Sequence, residues 1–462
     1  MRCLLVNPWI YDFAAFDLWI KPLGLLYIAA VLRDQGWKIE LVDCLDRSHP
    51  YYDSLQKKQF KHYSTGKYAR ETINKPAAVE DIPRFYSRYG LPAEIVRHEL
   101  KASEPPDLIF LTSGMTYWYP ALIDMVSLIR EFYESTPIIL GGIYATLMPD
   151  HALRNIPVDQ VFTGEAENRL SEIPSLESIE TRYEELDDLP YPAFDLYREL
   201  KFLPILTSRG CPLKCSFCAS HKISGPFRMR SVDAVVDEIT ESCSKYNVQD
   251  VAFYDDALLY KKSKHLLPIL ESVLLKNLAI RFHTPNGLQA NEIDGETAKL
   301  LVCAGFTTIR LSLESVDEKI RKRMNLKVSP EGIVRAVESL AAAGFPKHKI
   351  ETYILMGLPG QTVEDVIETL YFAAELKIIS KPAAFSPIPG TPDWTLAAEI
   401  GDLNSEIDLL ETNNSVYITR TKTFGNKIAQ QIKDLAVELN KCNREDKALP
   451  DKESVLREIR GK

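Results

Sequence analysis

The sequence predicts an α/β chain: a doubly wound parallel sheet first, six further strand–helix units next, and a mostly helical extension last. Three observations predict it. Short apolar runs of strand length alternate with segments of helical apolar spacing on both sides of residue 200. Polar or glycine-rich turns follow several of those runs, where α/β sheets keep their ligand sites. Three cysteines, Cys211, Cys215 and Cys218, stand at C-x3-C-x2-C spacing just after the apolar run Phe202–Leu206.

Residues 2–7 read as a first strand. Leu23 to Gln35 reads as a helix with Leu25, Ala29, Val31 and Leu32 on one face and Gly36 as its stop. Lys38–Asp43 is a second strand, Asp107–Thr112 a third, Pro137–Leu140 a fourth and Gln160–Thr163 a fifth, with a helix over Ala121–Tyr133. This makes residues 1–173 one domain, interrupted by residues 46–104. That insertion is rich in Tyr, Lys and Arg, including Tyr51, Tyr52, Lys57, Lys58, Lys61, Tyr63, Lys67, Tyr68, Arg70, Arg84, Tyr86, Arg88 and Tyr89. It reads as a solvated excursion, or as a lid or dock for an acidic or aromatic substrate. Residues 174–199, acidic and then proline-rich, read as a linker.

From residue 200 strands are predicted at 202–207, 250–254, 280–284, 308–313, 350–356 and 383–387, and helices at 231–245, 263–276, 295–303, 330–343 and 363–376. Ser231 is a candidate N-cap, and Gly305 and Gly344 follow helix ends. This second domain covers residues 200–392. Residues 393–462 are a helical extension with a charged tail.

Composition narrows the function classes. Apolar residues make up 45% of the 462, enough for ordinary cores, and the net charge of −9 implies no strong pull toward nucleic acid or anionic membrane. No apolar run reaches the roughly 20 residues needed to span a bilayer, and the N-terminus reads as a strand, not a signal. Cys3, Cys44, Cys243, Cys303 and Cys442 are scattered and read as free thiols, which fits a reducing cytoplasm.

Three thiolates on one loop can hold three corners of a cubane iron–sulfur cluster and leave one iron open. Zinc is the alternative, with His221 three residues beyond Cys218 as a fourth ligand.

The C-x3-C-x2-C loop after a strand, with the aromatic Phe217 before its last cysteine, resembles the signature of radical S-adenosylmethionine (SAM) enzymes. The likeness covers about residues 200–390 strongly and 1–175 more loosely. It implies a partial (β/α)6 barrel and a [4Fe–4S] cluster whose open iron chelates SAM. It also implies reductive cleavage of SAM to a 5′-deoxyadenosyl radical. Relatives place acidic or backbone contacts to SAM where Asp255 and Asp256 end the second strand; capping a helix is the alternative for Asp256. Ser312 and Glu314 alternate with apolar residues and so share one face of their strand, where the family holds the ribose or methionine end. Arg323 resembles the family's arginine near the SAM carboxylate, or is simply exposed. Ile354 and Gly357 resemble the adenine-contacting segment.

The first domain resembles the Rossmann-like cobalamin domain that precedes many radical SAM cores. Pro22-Leu23-Gly24-Leu25-Leu26-Tyr27 carries that likeness, together with the strand-end turns. The implied cobalamin residues are Ser113 and Gly114, Gly141 and Gly142, and Thr163, Gly164 and Glu165, each of which could also serve a plain tight turn. Cobalamin mutases carry a histidine ligand in the loop after the first strand; Asn7–Trp19 here contains none.

The expected function is a cytoplasmic radical SAM enzyme that abstracts hydrogen from an unactivated carbon, with methyl transfer from a cobalamin held over the barrel mouth. The alternatives are a radical rearrangement, cyclisation or coupling with a degenerate cobalamin domain, or a non-catalytic cobalamin or iron–sulfur binding protein. Radical methylthiotransferases of transfer RNA are disfavoured, since no further cysteine triplet or basic C-terminal domain appears. The expected partners are a small-molecule, lipid or natural-product substrate and an electron donor such as flavodoxin or ferredoxin. Nucleic acid is not expected, and the catalytic residues beyond the cofactor sites cannot be named from the sequence.

Overall fold

The computed structural model describes all residues except 56–61, 180, 182, 326, 405 and 461–462. Lys57, Lys58 and Lys61 lie outside the described residues. Two compact units result. One holds residues 1–204 with 222–230 and 241–250, the other residues 205–221 with 231–240 and 251–462.

The first unit is built on a five-stranded sheet. Its elements are β1 (Arg2–Asn7), α1 (Leu23–Asp34), β2 (Lys38–Asp43), α2 (Ala93–Ala102), β3 (Leu108–Leu111), α3 (Tyr119–Arg130), β4 (Ile138–Leu140) and β5 (Gln160–Val161). The strand order is β2-β1-β3-β4-β5, all parallel. The central strands are buried on both faces, as near-continuous apolar runs such as Cys3-Leu4-Leu5-Val6 require. This order is that of a doubly wound sheet whose winding reverses between β1 and β3, and such sheets take ligands beyond the carboxyl ends of the strands near the reversal.

The described residues of the insertion include strands and a helix. Ser87–Tyr89 pairs antiparallel with Ile10–Asp12 on one side and Arg70–Thr72 on the other. Tyr52, Tyr68, Tyr86 and Tyr89 are buried, and Tyr68 and Tyr89 share a small core with Ile10. Residues 174–199 are no free linker either. Leu176, Ile179 and Ala193 enter the core beside α1, and Tyr197 donates its hydroxyl to Asp43 at 2.6 Å. The apolar residues among the acidic ones hold this segment down.

The second unit is built on β6 (Leu203–Ile205), β7 (Asp250–Phe253), α4 (Leu266–Leu275), β8 (Arg281–His283), β9 (Leu288–Gln289), α5 (Gly295–Cys303), β10 (Phe306–Glu314), α6 (Glu318–Arg323), α7 (Pro330–Ala342), β11 (Ile350–Met356), α8 (Val363–Glu375), β12 (Ile379–Ala384), α9 (Pro392–Glu399) and α10 (Gly425–Glu445). The sheet order is β12-β11-β10-β8-β7-β6, with β9 beside β10. The last strand begins four residues earlier than its apolar pattern predicts. Lys381 and Pro382 lie inside it, and a strand at the edge of a sheet tolerates both. That edge is covered by the C-terminal extension. Asn440 on α10 accepts from the Ser380 N–H at 2.8 Å and donates to the Ser380 carbonyl at 2.9 Å. A side-chain amide thus takes the place of a neighbouring strand.

Among the described residues, no helix is long and apolar enough to cross a membrane.

Candidate active site

The cysteine loop follows β6. Gly210 turns it at φ 80°, in the left-handed region that glycine reaches without strain. Cys211, Cys215 and Cys218 act on one another electrostatically, and Lys327 acts on all three. Burial raises each thiol, Cys215 to about 11, while Lys327 pulls in the opposite direction.

Among the described residues, no three His, Cys, Asp or Glu side chains are grouped to hold a single metal ion. His221, the fourth ligand of the zinc reading, is exposed. In a cubane each cysteine meets a different iron, so its thiolates stand farther apart than on one ion. Three mutually interacting thiols, Cys215 buried and Cys211 and Cys218 half-buried, that share the influence of one ammonium suit that donor set.

The segment after α6 holds the loop. Asn325, in the left-handed region at φ 54°, donates its side-chain amide to the Lys214 carbonyl at 2.6 Å. The Cys215 thiol points at the Met324 carbonyl at 3.8 Å. Lys327 reaches the Glu314 carboxylate at 3.3 Å, with 15% and 10% of the two side chains exposed. Burial alone would lower the Lys327 ammonium, but Glu314 and Cys215 hold it above its ordinary range.

Glu314 ends β10 under strain. Its φ is 62°, and the register against β11 shifts between Ser312 and Glu314. A non-glycine residue in this conformation costs on the order of 1–3 kcal/mol, and such strain gathers at functional sites. The shift leaves Glu314 opposite Ile354.

Ser312 stands beside the Asn286-Gly287 turn. A Cβ on Gly287 would lie 2.2 Å from its hydroxyl, so only glycine fits there. Asn286 spans to the Tyr254 and Asp255 carbonyls at 3.1 and 3.2 Å, which ties the ends of β7 and β8 together.

Asp255 does a different job from the cofactor contact expected of it. It is buried, and its carboxylate accepts from the Thr207 N–H at 3.2 Å, the Thr207 hydroxyl at 2.8 Å and the Ser208 hydroxyl at 2.5 Å. It latches the end of β7 to the start of the cysteine loop. Asp256 is exposed, accepts from Ser220, and acts electrostatically on Cys211 and Cys218.

Ile354 needs a correction. It is wholly buried, in step with Thr352 and Met356, while Glu351, Tyr353 and Leu355 are half-buried on the other face of β11. Leu355 shares that polar face, and it packs with Phe217 against one apolar cluster. Strand alternation therefore gives Leu355 the position expected of Ile354.

Gly357 has φ 88°, and Gln361 accepts from the N–H groups of Gly357 and Leu358 at 2.9 and 3.2 Å, clasping the strand end. Arg323 is half-buried and points to Asp393 at 3.9 Å.

In the first unit the predicted turns lie together at the carboxyl ends of β3, β4 and β5. Ser113 donates its hydroxyl to the Gly141 carbonyl at 2.6 Å and accepts from the Ala145 N–H at 3.2 Å. Gly142, at φ 93°, lies so close that a Cβ would fall 2.4 Å from the Ser113 carbonyl. Gly114 has no room for a Cβ either, with the Trp118 ring 2.8 Å away. Gly141 and Gly164 are more open, their Cβ positions 4.0 and 3.7 Å from the nearest atoms. The Gly164 N–H donates to Thr146 at 2.9 Å, and the Thr163 carbonyl accepts from Arg169 at 2.9 Å. Glu165 is paired with Arg228 at 2.6 Å.

The model of the radical SAM superfamily matches residues 205–373. The chain carries a radical SAM domain. That domain marks the chain as an enzyme and implies a [4Fe–4S] cluster and SAM as its cofactors.

Among curated relatives, an uncharacterized methyltransferase of Pyrococcus horikoshii is 26% identical over 325 residues, 63% of this chain and 69% of that protein. Cytidylyl-2-hydroxyethylphosphonate methyltransferase of Streptomyces wedmorensis is 24% identical over 421 residues, 80% of this chain and 76% of that one. Among solved structures, the radical SAM methyltransferase TsrM of Kitasatospora setae, with cobalamin and a [4Fe–4S] cluster bound, superposes with a TM-score of 0.63. It is 18% identical and covers 86% of this chain and 75% of its own.

Lys327, Asn325, Leu355 and Gln361 were not legible as site residues. Lys327 stands four residues past the end of α6. Its pairing with Glu314 depends on how the chain returns.

Proposed function

We propose that this chain is a cobalamin-dependent radical SAM methyltransferase acting on an unactivated carbon of a small molecule. The observation that carries the cobalamin half is the parallel β2-β1-β3-β4-β5 sheet, with Ser113, Gly141, Gly142, Thr163 and Gly164 at three adjacent strand ends. Gly141 and Gly164 leave their backbones approachable there. The TsrM likeness and the methyltransferase names of the two relatives support the same reading.

Cysteines Cys211, Cys215 and Cys218 would hold the cluster, while Glu314, Ser312, Phe217 and Asp256 would bound the SAM site. Bound cobalamin would supply the methyl group and the cluster the electron that activates SAM. A flavodoxin- or ferredoxin-class donor would recharge the cluster, in the cytoplasm.

The test is anaerobic reconstitution with iron, sulfide and hydroxocobalamin, followed by dithionite and SAM. One cobalamin per chain and release of 5′-deoxyadenosine are expected. A chain that cleaves SAM but binds no cobalamin would overturn the methyltransferase reading and leave the radical SAM domain standing.

A further inference from the structure

The extension beyond the last strand reaches the cysteine loop. Ser216 lies between Cys215 and Cys218. Its carbonyl accepts from the Asp393 N–H at 3.0 Å, and its hydroxyl donates to the Asp393 carboxylate at 3.1 Å. One residue of α9 thus grips one residue of the loop at two points.

Asp393 is itself fixed. Its side chain is 2% exposed, and Arg323 stands 3.9 Å away on α6. Thr391 caps α9 by accepting from the Trp394 N–H at 3.3 Å. Trp394 and Phe217 then pack against one apolar cluster that includes Phe385, Leu403 and Tyr417. A carboxylate buried this deeply is costly unless bonded and paired, and both of its partners belong to the surroundings of the cluster loop. Just after α6, Asn325 holds Lys214. The loop is therefore clasped from α6 and from α9.

We infer that Asp393 is a positioning residue for the cluster: through Ser216 it holds the Cys215–Cys218 turn in the geometry that retains iron, and the C-terminal extension is part of the cluster site. The inference rests on the cluster reading of the three cysteines. That reading is checked separately by the iron content of the unmutated protein.

The experiment reconstitutes the unmutated protein and D393L, D393N, S216A and S216A/D393L anaerobically. It then follows iron release to a chelator and the electron paramagnetic resonance of the reduced cluster. Loss of a charge-assisted hydrogen bond implies roughly tenfold faster release from D393L. D393N, which keeps an acceptor for Ser216, should fall between D393L and the parent. In the S216A background most of the D393L effect should vanish, because the contact is already lost. Helix packing alone would leave the two effects additive. Parental release from D393L, or full additivity with S216A, would overturn the inference. Should D393L fail to fold, S216A alone carries the test, since it removes the same contact, and parental iron release from S216A would overturn the inference.

Discussion

Lys327 and Glu314 form a buried ion pair, Nζ to Oε1 3.3 Å, between a strained strand end and the cysteine loop. A glutamate at positive φ and a buried lysine ammonium are each unfavourable alone. Together they place one carboxylate and one ammonium where a cluster and a zwitterionic cofactor would meet. Glu314→Gln keeps the shape and removes the charge. SAM affinity is expected to fall by about 1–3 kcal/mol, the worth of a charge-assisted bond, as read by isothermal titration of the reconstituted protein. Unchanged affinity would return Glu314 to a structural role.

The cysteines carry a second prediction. Anaerobic reconstitution should give about four irons per chain, since a cubane is proposed. Replacing Cys211, Cys215 and Cys218 together by alanine should abolish it. A triple variant that keeps its iron, or a parent protein that holds zinc, sinks the cluster assignment.

Cysteine spacing and the turn at Gly357 are local patterns, and local patterns can be read in one dimension. The Ser312–Glu314 alternation did not carry through, because the register against β11 shifts between the two residues. What escaped depended on distant partners. Whether Asp255 meets a cofactor or Thr207 depends on where β6 lies, and nothing near residue 255 states that. The choice between Ile354 and Leu355 is a one-residue phase at the apolar end of the strand, where Ile354, Leu355 and Met356 follow one another, so the register had to come from the sheet. The packing of the insertion and of the acidic segment escaped for the same reason: composition counts polar residues but does not reveal that Tyr86 or Leu176 finds a core.

The Gly287 contact gives a stability prediction. A methyl group there would overlap the Ser312 hydroxyl, 2.2 Å away. Gly287→Ala should cost roughly 1–3 kcal/mol by overpacking, seen as a lower midpoint in urea. G287A/S312G removes the obstacle and should recover part of the loss. A neutral single variant would mean that the turn moves aside freely.

Glu351 supplies a pH dependence. Burial would raise its carboxyl, but Arg310 at 2.7 Å and Lys381 at 2.9 Å hold it below the ordinary glutamate range. A carboxylate depressed on folding gives stability that is present above its unfolded value, about 4.3, and is lost as pH falls through the lower folded one. Thermal melts should therefore show the unmutated protein losing stability below about pH 4.3, with a shallower decline in Glu351→Gln. Parallel profiles for the two would show that the pair adds nothing on folding.

The last prediction concerns cobalt and rests on the cobalamin proposal. Asn7, at the end of β1, donates to Asp43 at 2.6 Å, and Tyr197 donates to the same carboxylate, so the β1 and β2 ends are filled by the protein's own polar groups. The loop that follows β1, Asn7–Trp19, has no histidine. His49 has both ring nitrogens engaged, one facing Glu99 at 3.2 Å and the other accepting from the Tyr51 N–H at 3.1 Å. His151 faces the Tyr144 hydroxyl at 2.6 Å. To serve cobalt, His49 would have to give up a hydrogen bond that now orients its ring. The expected state is bound cobalamin with its own base displaced and no imidazole beneath the metal, which favours a low coordination number. Electron paramagnetic resonance of the cobalt(II) form, after anaerobic titration with hydroxocobalamin, should show a base-off spectrum without nitrogen splitting. Nitrogen-split lines that disappear in His151→Phe or His49→Phe would assign the lower ligand to that histidine and refute the prediction.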